Sequence, residues 1–300
     1  MTNTQTNTKS HNTHNERQAP TGRPPGRSGA CVAIAAFLLV GGPAALEGGV
    51  GVTRASAATA KRPSITITLS DTTVEIPKVI PGGYVDVTLS ATSSRKQGHH
   101  LAFLRRNQGV SVAQLEAAPD DKVDALVTYQ GGNGQVNPGK TAHLTLDLDP
   151  GDYVVFDFID GPPIVSQTTV TGPAVRTAKP VARGTITMGP GMRYTVPKNF
   201  DGSGVWRFSN VDATKHEAVL VRLAPGKTVQ DLIAWGKTAE SSPPPGDIVG
   251  GFGALGSGRQ GWIDLGAKPT PGQYALACIL PTGDGSTHLG MGMALAFAIR

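Results

Sequence analysis

Apolar and polar residues alternate in short runs along most of this chain. Ser64–Ser70, SITITLS, is the clearest run, and its period of two predicts a half-buried strand. TVEIP, YVDVTLS, HLAFLRR, AHLTLDL and YVVFDFI follow, separated by Pro-Gly, Gly-Gly and Asn-Gly turn signals. A second series begins at residue 184: GTITMG, YTVP, GVWRFSN, EAVLVRL, GWIDLG, YALACIL and MALAFAI. Short strands at this spacing predict an all-β chain built as β-sandwiches. Two places break the alternation. Ser111-Val-Ala-Gln114 and Thr228-Val-Gln-Asp231 each put a hydroxyl before a polar or acidic residue three positions on, which predicts one short capped helix in each series. SSPPPG (241–246) and the glycine-rich GGFGALGSG (250–258) read as loops. PAVRTAKPVAR (173–183) has no apolar period and reads as a linker.

The two series are copies of one unit. A shift of 117 residues lays His99 on His216, Arg105 on Arg222, Gly109 on Gly226 and Leu115 on Leu232. At a shift of 121, DLDPGDYVVFD (147–157) lies on KPTPGQYALAC (268–278), and Gly131-Gly132 matches Gly250-Gly251 at 119. Matches in one order at nearly constant shift argue for duplication of a whole domain, a pair and not a solenoid. The expected boundaries are 61–172 and 184–300, joined by 173–183.

Composition changes the picture chiefly at the start. Residues 1–28 are polar, and Gly29–Leu46 is an apolar run behind Arg23 and Arg27. Ala-x-Ala patterns follow at 55–57 and 58–60. Residues 1–60 therefore read as a leader with a secretory signal peptide, and the protein is expected to be secreted or extracytoplasmic. The alternative is an uncleaved N-terminal anchor, for which a run broken by Gly41-Gly42-Pro43 is short. That anchor is the only expected membrane contact. Cys31 precedes the apolar core, so it is not placed as a lipoprotein cysteine, and no twin-arginine pair precedes the apolar run. Residues 61–300 carry 22 basic and 20 acidic side chains. The basic balance of the whole chain thus comes largely from the leader, and no basic patch interleaved with aromatics suggests nucleic-acid binding.

With the leader gone, Cys278 is the only cysteine. A lone thiol in an oxidising compartment is either a metal ligand or a buried inert side chain. His288 follows ten residues later, Met293 five after that, and Met291 lies between. Thiolate, imidazole and thioether on one loop between two apolar runs form a donor set for a soft metal ion. A second imidazole could come from His216, at the start of EAVLVRL.

The order His216…Cys278…His288…Met293, the last three at a C-terminal strand–loop–strand, resembles the type 1 copper site of the cupredoxins. The resemblance covers 184–300 well and 64–172 in outline. It implies two tandem Greek-key β-sandwiches and one type 1 copper in the second. His216, Cys278 and His288 would be its equatorial ligands and Met293 its axial one. Asn210 would tie the ligand loops together. The first copy departs from the pattern: His99 or His100 keeps the upstream histidine, but Asp157 takes the cysteine position and no His or Met follows. Its role is expected to be structural or partner-facing, with His143 an ordinary surface residue.

Absences limit the resemblance. The sole adjacent histidine pair is His99-His100, so the His-x-His motifs of multicopper oxidases are missing. Ala277 and Ile279 flank Cys278, where the nitrite reductases have a histidine leading to a second copper. The expected function is electron transfer to an unknown redox partner protein, or copper handling, without catalysis. The alternative is a metal-free interaction module at the cell surface, with Cys278 in the core. A weaker third reading is a small oxidase with an open copper position.

Overall fold

The computed structural model describes residues 60–94, 98–158, 163–175, 177–238 and 242–300. Residues 1–59, on which the expected signal peptide's apolar run and Cys31 fall, lie outside the described residues. Among those residues no helix is long and apolar enough to cross a membrane.

The chain is all-β. Its first half holds β1 (Ser64–Leu69), β2 (Val74–Glu75), β3 (Val79–Ala91), β4 (His100–Arg106), β5 (Val127–Gly132), β6 (Thr141–Leu148), β7 (Gly151–Phe158) and β8 (Ile164–Val175). The second half holds β9 (Thr185–Gly189), β10 (Arg193–Thr195), β11 (Val205–Asn210), β12 (His216–Leu223), β13 (Gly246–Leu255), β14 (Gln260–Asp264), β15 (Gly272–Ala277) and β16 (Ala294–Ile299). Helices α1 (Val112–Glu116) and α2 (Asp120–Val123) follow β4, and α3 (Val229–Gly236) follows β12. Both anticipated N-caps form. Ser111 and Gln114 make a reciprocal capping box, as do Thr228 and Asp231. Each box satisfies two backbone donors that a helix start leaves orphaned.

The second half forms two strand runs, β10-β9-β11-β14 and β13-β12-β15-β16, which share one core cluster and are linked in one continuous strand order through the first half. Alternation along β15 shows how the layers are filled. Tyr274, Leu276 and, just past the strand end, Cys278 point into the main core with Trp206, Phe208 and Met293. Ala275 and Ala277 point the other way, under α3, with Val219, Val221 and Leu232. The first half repeats this outer layer, α1 setting Leu115 on Ala102, Leu104 and Val154. Period-two burial on one strand thus supplies both a sandwich core and a helix-covered face.

Strand pairing continues between the halves. β14 pairs antiparallel with β6, bringing Ile263 opposite Leu144, and Phe252 bridges Asn133. Both pairs lie 119 residues apart, the shift of the internal repeat. Corresponding segments therefore meet each other, as in an isologous contact between two copies.

Three expectations are corrected. The Gly250–Gly258 run is not a loop, because Gly250–Leu255 belongs to β13. Its glycines serve a close backbone approach: Gly251 has φ +103°, and a Cβ there would lie 2.3 Å from the Ala218 carbonyl oxygen. A register shift in the β12–β13 ladder sits beside it, as expected where glycine marks a bulge. The segment from 173 to 183 is not linker throughout, since β8 runs to Val175. The first half also carries a second short helix, α2. Strands β5 and β8 were not anticipated.

Candidate metal centre

β12 and the β15–β16 connection bring three donors together. His216 opens β12, Cys278 follows the last residue of β15, and His288 lies on the loop that returns to β16. Nδ1 of His216 is 3.1 Å from Nδ1 of His288, which is 3.3 Å from Sγ of Cys278. One donor atom from each of the three lies within 4.8 Å of the others, and all three residues are buried. This is the one such cluster of His, Cys, Asp and Glu among the described residues.

Neighbouring groups set the orientation of each donor. The Nε2 atom of His216 meets the Asp212 carboxylate at 3.0 Å. A carboxylate only accepts, so Nε2 carries the proton and Nδ1 turns its lone pair toward Cys278 and His288. The same bond holds Asp212 below the usual carboxylate range. Asn210, fully buried, donates to the Thr214 and Leu255 carbonyls at 2.7 and 2.8 Å and accepts from the Asp212 N–H at 2.9 Å. It thereby ties the loop before His216 to the end of β13. The loop after Cys278 is fixed by its own backbone. Cys278 N–H donates to Met293 O, His288 N–H to Leu280 O, and Met293 N–H to His288 O. Thr287 Oγ1 donates to the Gly236 carbonyl at the end of α3. Gly290 packs so tightly there that a Cβ would lie 2.8 Å from that oxygen.

The two methionines separate by burial. Met293 is fully buried in the core cluster that contains Cys278, whereas Met291 is 56% exposed. His143 is exposed, with Nδ1 3.3 Å from Thr88 Oγ1.

Electrostatics suit a cation that displaces a proton. Burial, then Glu217, pushes the Cys278 thiol far above its ordinary range. Burial, then the neighbouring His216, pushes His288 down to about 4, so its ring is neutral at pH 7. Two imidazole Nδ1 atoms and a thiol therefore converge at a buried point. Donors on one first-row ion, at roughly 2.0–2.3 Å each, stand about 3.5 Å apart in a trigonal arrangement. The 3.1 and 3.3 Å separations approach that with shifts of a few tenths of an ångström. Donor types and spacing fit a soft metal ion.

The corresponding place in the first half is closed. His99 and Asp157, both fully buried, meet at 2.5 Å through Nδ1 and Oδ2, and His99 Nε2 lies 2.7 Å from Ser93 Oγ. Asp157 Oδ1 accepts the His100 N–H at 3.1 Å. Every hydrogen-bonding atom of the imidazole is thus engaged by protein.

Glu217 was not read from the sequence. It is fully buried, its backbone N–H donates to Cys278 Sγ at 3.5 Å, and its Oε1 accepts the Ile279 N–H at 3.0 Å. Its carbonyl accepts the Tyr194 hydroxyl at 2.5 Å. A lone charge at the head of the apolar run EAVLVRL was the available signal.

No family model matches the chain, and no curated protein does. Among solved structures, it is similar to the reduced auracyanin of Roseiflexus castenholzii, at 23% identity and TM-score 0.24 over 39% of this chain and 95% of that one. It is also similar to auracyanin A of Chloroflexus aurantiacus, described as a "blue" copper protein, at 14% identity and TM-score 0.26 over 37% and 100%. A multicopper oxidase aligns at 11% identity and TM-score 0.22 over 81% and 93%.

Proposed function

We propose that this chain is an exported, two-domain cupredoxin-like protein that holds one type 1 copper in its second domain. It moves single electrons to and from a redox partner protein, or carries copper, and catalyses no reaction itself. The convergence of one donor atom each from His216, Cys278 and His288 within 4.8 Å carries the reading. Met293, fully buried in the same core cluster as Cys278, would supply the thioether donor. A copper ion bound there supplies a one-electron couple between Cu(I) and Cu(II). The residues contribute rigidity. Asp212 and Asn210 hold His216, while backbone bonds among Cys278, Leu280, His288 and Met293 hold the other donors. Side chains held this way need little rearrangement when the charge changes. Burial keeps water from the thiolate.

Mixing copper(II) with residues 61–300 tests the proposal. An intense thiolate-to-copper visible band at one copper per chain is expected. A colourless protein with a titratable thiol would count against it. In the alternative, a metal-free interaction module, the fully buried Cys278 is simply part of the core. Metal analysis after native purification, finding no copper even on reconstitution, would favour that version.

A further inference from the structure

We infer that His100, in the half without the ligand set, is a positioning residue for the metal centre of the other half, acting through Glu217. This rests on the copper reading above.

Alternation along β4 sends consecutive histidines to opposite faces. His99 turns inward to Asp157 and Ser93. His100 turns outward, its N–H anchored on Asp157 Oδ1 and its ring edge-on to Phe158 with centroids 5.9 Å apart. There its Nε2 reaches Oε2 of Glu217 at 3.3 Å. Glu217 is the residue 117 positions on, so His100 faces its own counterpart in the repeat.

Glu217 has an unusual set of duties. One carboxylate oxygen holds the Ile279 N–H, the backbone N–H points at Cys278 Sγ, and its neighbour in the chain is His216. The other oxygen, Oε2, is buried and has no hydrogen-bond partner among the described residues. A buried carboxylate oxygen left this way is costly unless a charged or polar group compensates it. His100 is the group in place, and its side chain is 17% exposed while that of Glu217 is fully buried. Removing His100 leaves this oxygen buried and uncompensated, which loosens the loop that carries Cys278.

The consequence for the metal is electrostatic. A carboxylate near the thiolate favours the more positive oxidation state, and His100 offsets part of that effect. Replacing each residue therefore shifts the potential in opposite senses. Glu217→Gln raises the reduction potential and His100→Leu lowers it. In a Glu217→Gln background, His100→Leu adds no further shift, because the route through the carboxylate is gone. Loss of such a support lowers metal affinity roughly ten- to a hundredfold, so Glu217→Ala is expected to release copper faster to a chelator by about that factor.

The test is a double-mutant cycle on the full chain. Potentials come from titration of the visible band, and a metal-free readout comes from alkylation of Cys278 by iodoacetamide. In the apo-protein His100→Leu should speed alkylation several-fold. His100→Gln, which keeps a polar group facing Oε2, should restore the slow rate. A wild-type band with potentials unmoved by His100→Leu, or moved equally in both backgrounds, overturns the inference and leaves the copper reading intact. A wild type without any band overturns the copper reading; alkylation then decides the positioning role, and a rate indifferent to His100 refutes it.

Discussion

Asp157→Ala isolates the element that closes the first half. The substitution removes the acceptor of two buried donors, His99 Nδ1–H at 2.5 Å and the His100 N–H at 3.1 Å. Both side chains of the pair are fully buried, so water cannot replace the lost bonds. Each of the two orphaned donors costs about 1–3 kcal/mol. The expected loss is therefore about 4 kcal/mol, a large share of the roughly 5–15 kcal/mol by which native proteins are stable. With a urea slope of about 3 kcal/mol per molar, the unfolding midpoint falls by roughly 1.3 M. Asp157→Asn keeps the volume and one acceptor oxygen and should lose less than half as much. Equilibrium unfolding in urea, followed by far-ultraviolet circular dichroism, reads both variants. A loss under about 1 kcal/mol for Asp157→Ala would refute the idea that this pair holds the first half closed.

Other outcomes follow from the same geometry. Gly251→Ala puts a Cβ 2.3 Å from the Ala218 carbonyl at a left-handed φ and should cost several kcal/mol, read by thermal unfolding; Gly258→Ala, whose added Cβ meets nothing, should cost only the strain of its own φ. Met293→Leu should shift the visible spectrum and potential of the copper-loaded protein, while Met291→Leu, at an exposed position, should leave both unchanged. The apo-protein should lose stability as pH falls from about 6.5 to about 4. The unfolded chain takes up a proton at His288's ordinary pKa, which the folded chain resists until about 4. Below that the loss levels off, and His288→Gln should flatten this part of the urea-midpoint profile. Thr228→Ala should cost about 1 kcal/mol through the α3 capping box.

Much of this was legible along the chain. Strands such as β1, β4 and β11 show their period of two directly, and both capping boxes announce their helices by residue type. The candidate donors were legible because thiol, imidazole and thioether are rare here and stand in one order. What stayed hidden depends on contacts far apart in sequence. β13 was misread because its glycines report a close backbone approach to β12, which alternation does not encode. β5 ends in a Gly-Gly pair that served as a turn signal. Met293 was preferred over Met291 only through its spacing in the resemblance; the difference in burial between the two could not be read along the chain. Glu217 and Asp212 gained their roles from partners at Ile279 and His216, one of them 62 residues away.

The most direct measurement is the visible and electron paramagnetic resonance spectrum of residues 61–300 loaded with one equivalent of copper(II), beside its Cys278→Ser variant. An intense thiolate-to-copper band with a mononuclear copper signal, lost in a folded Cys278→Ser protein, is the expected result. A colourless wild type that keeps its free thiol, or a band that survives Cys278→Ser, would contradict a copper centre built on His216, Cys278 and His288.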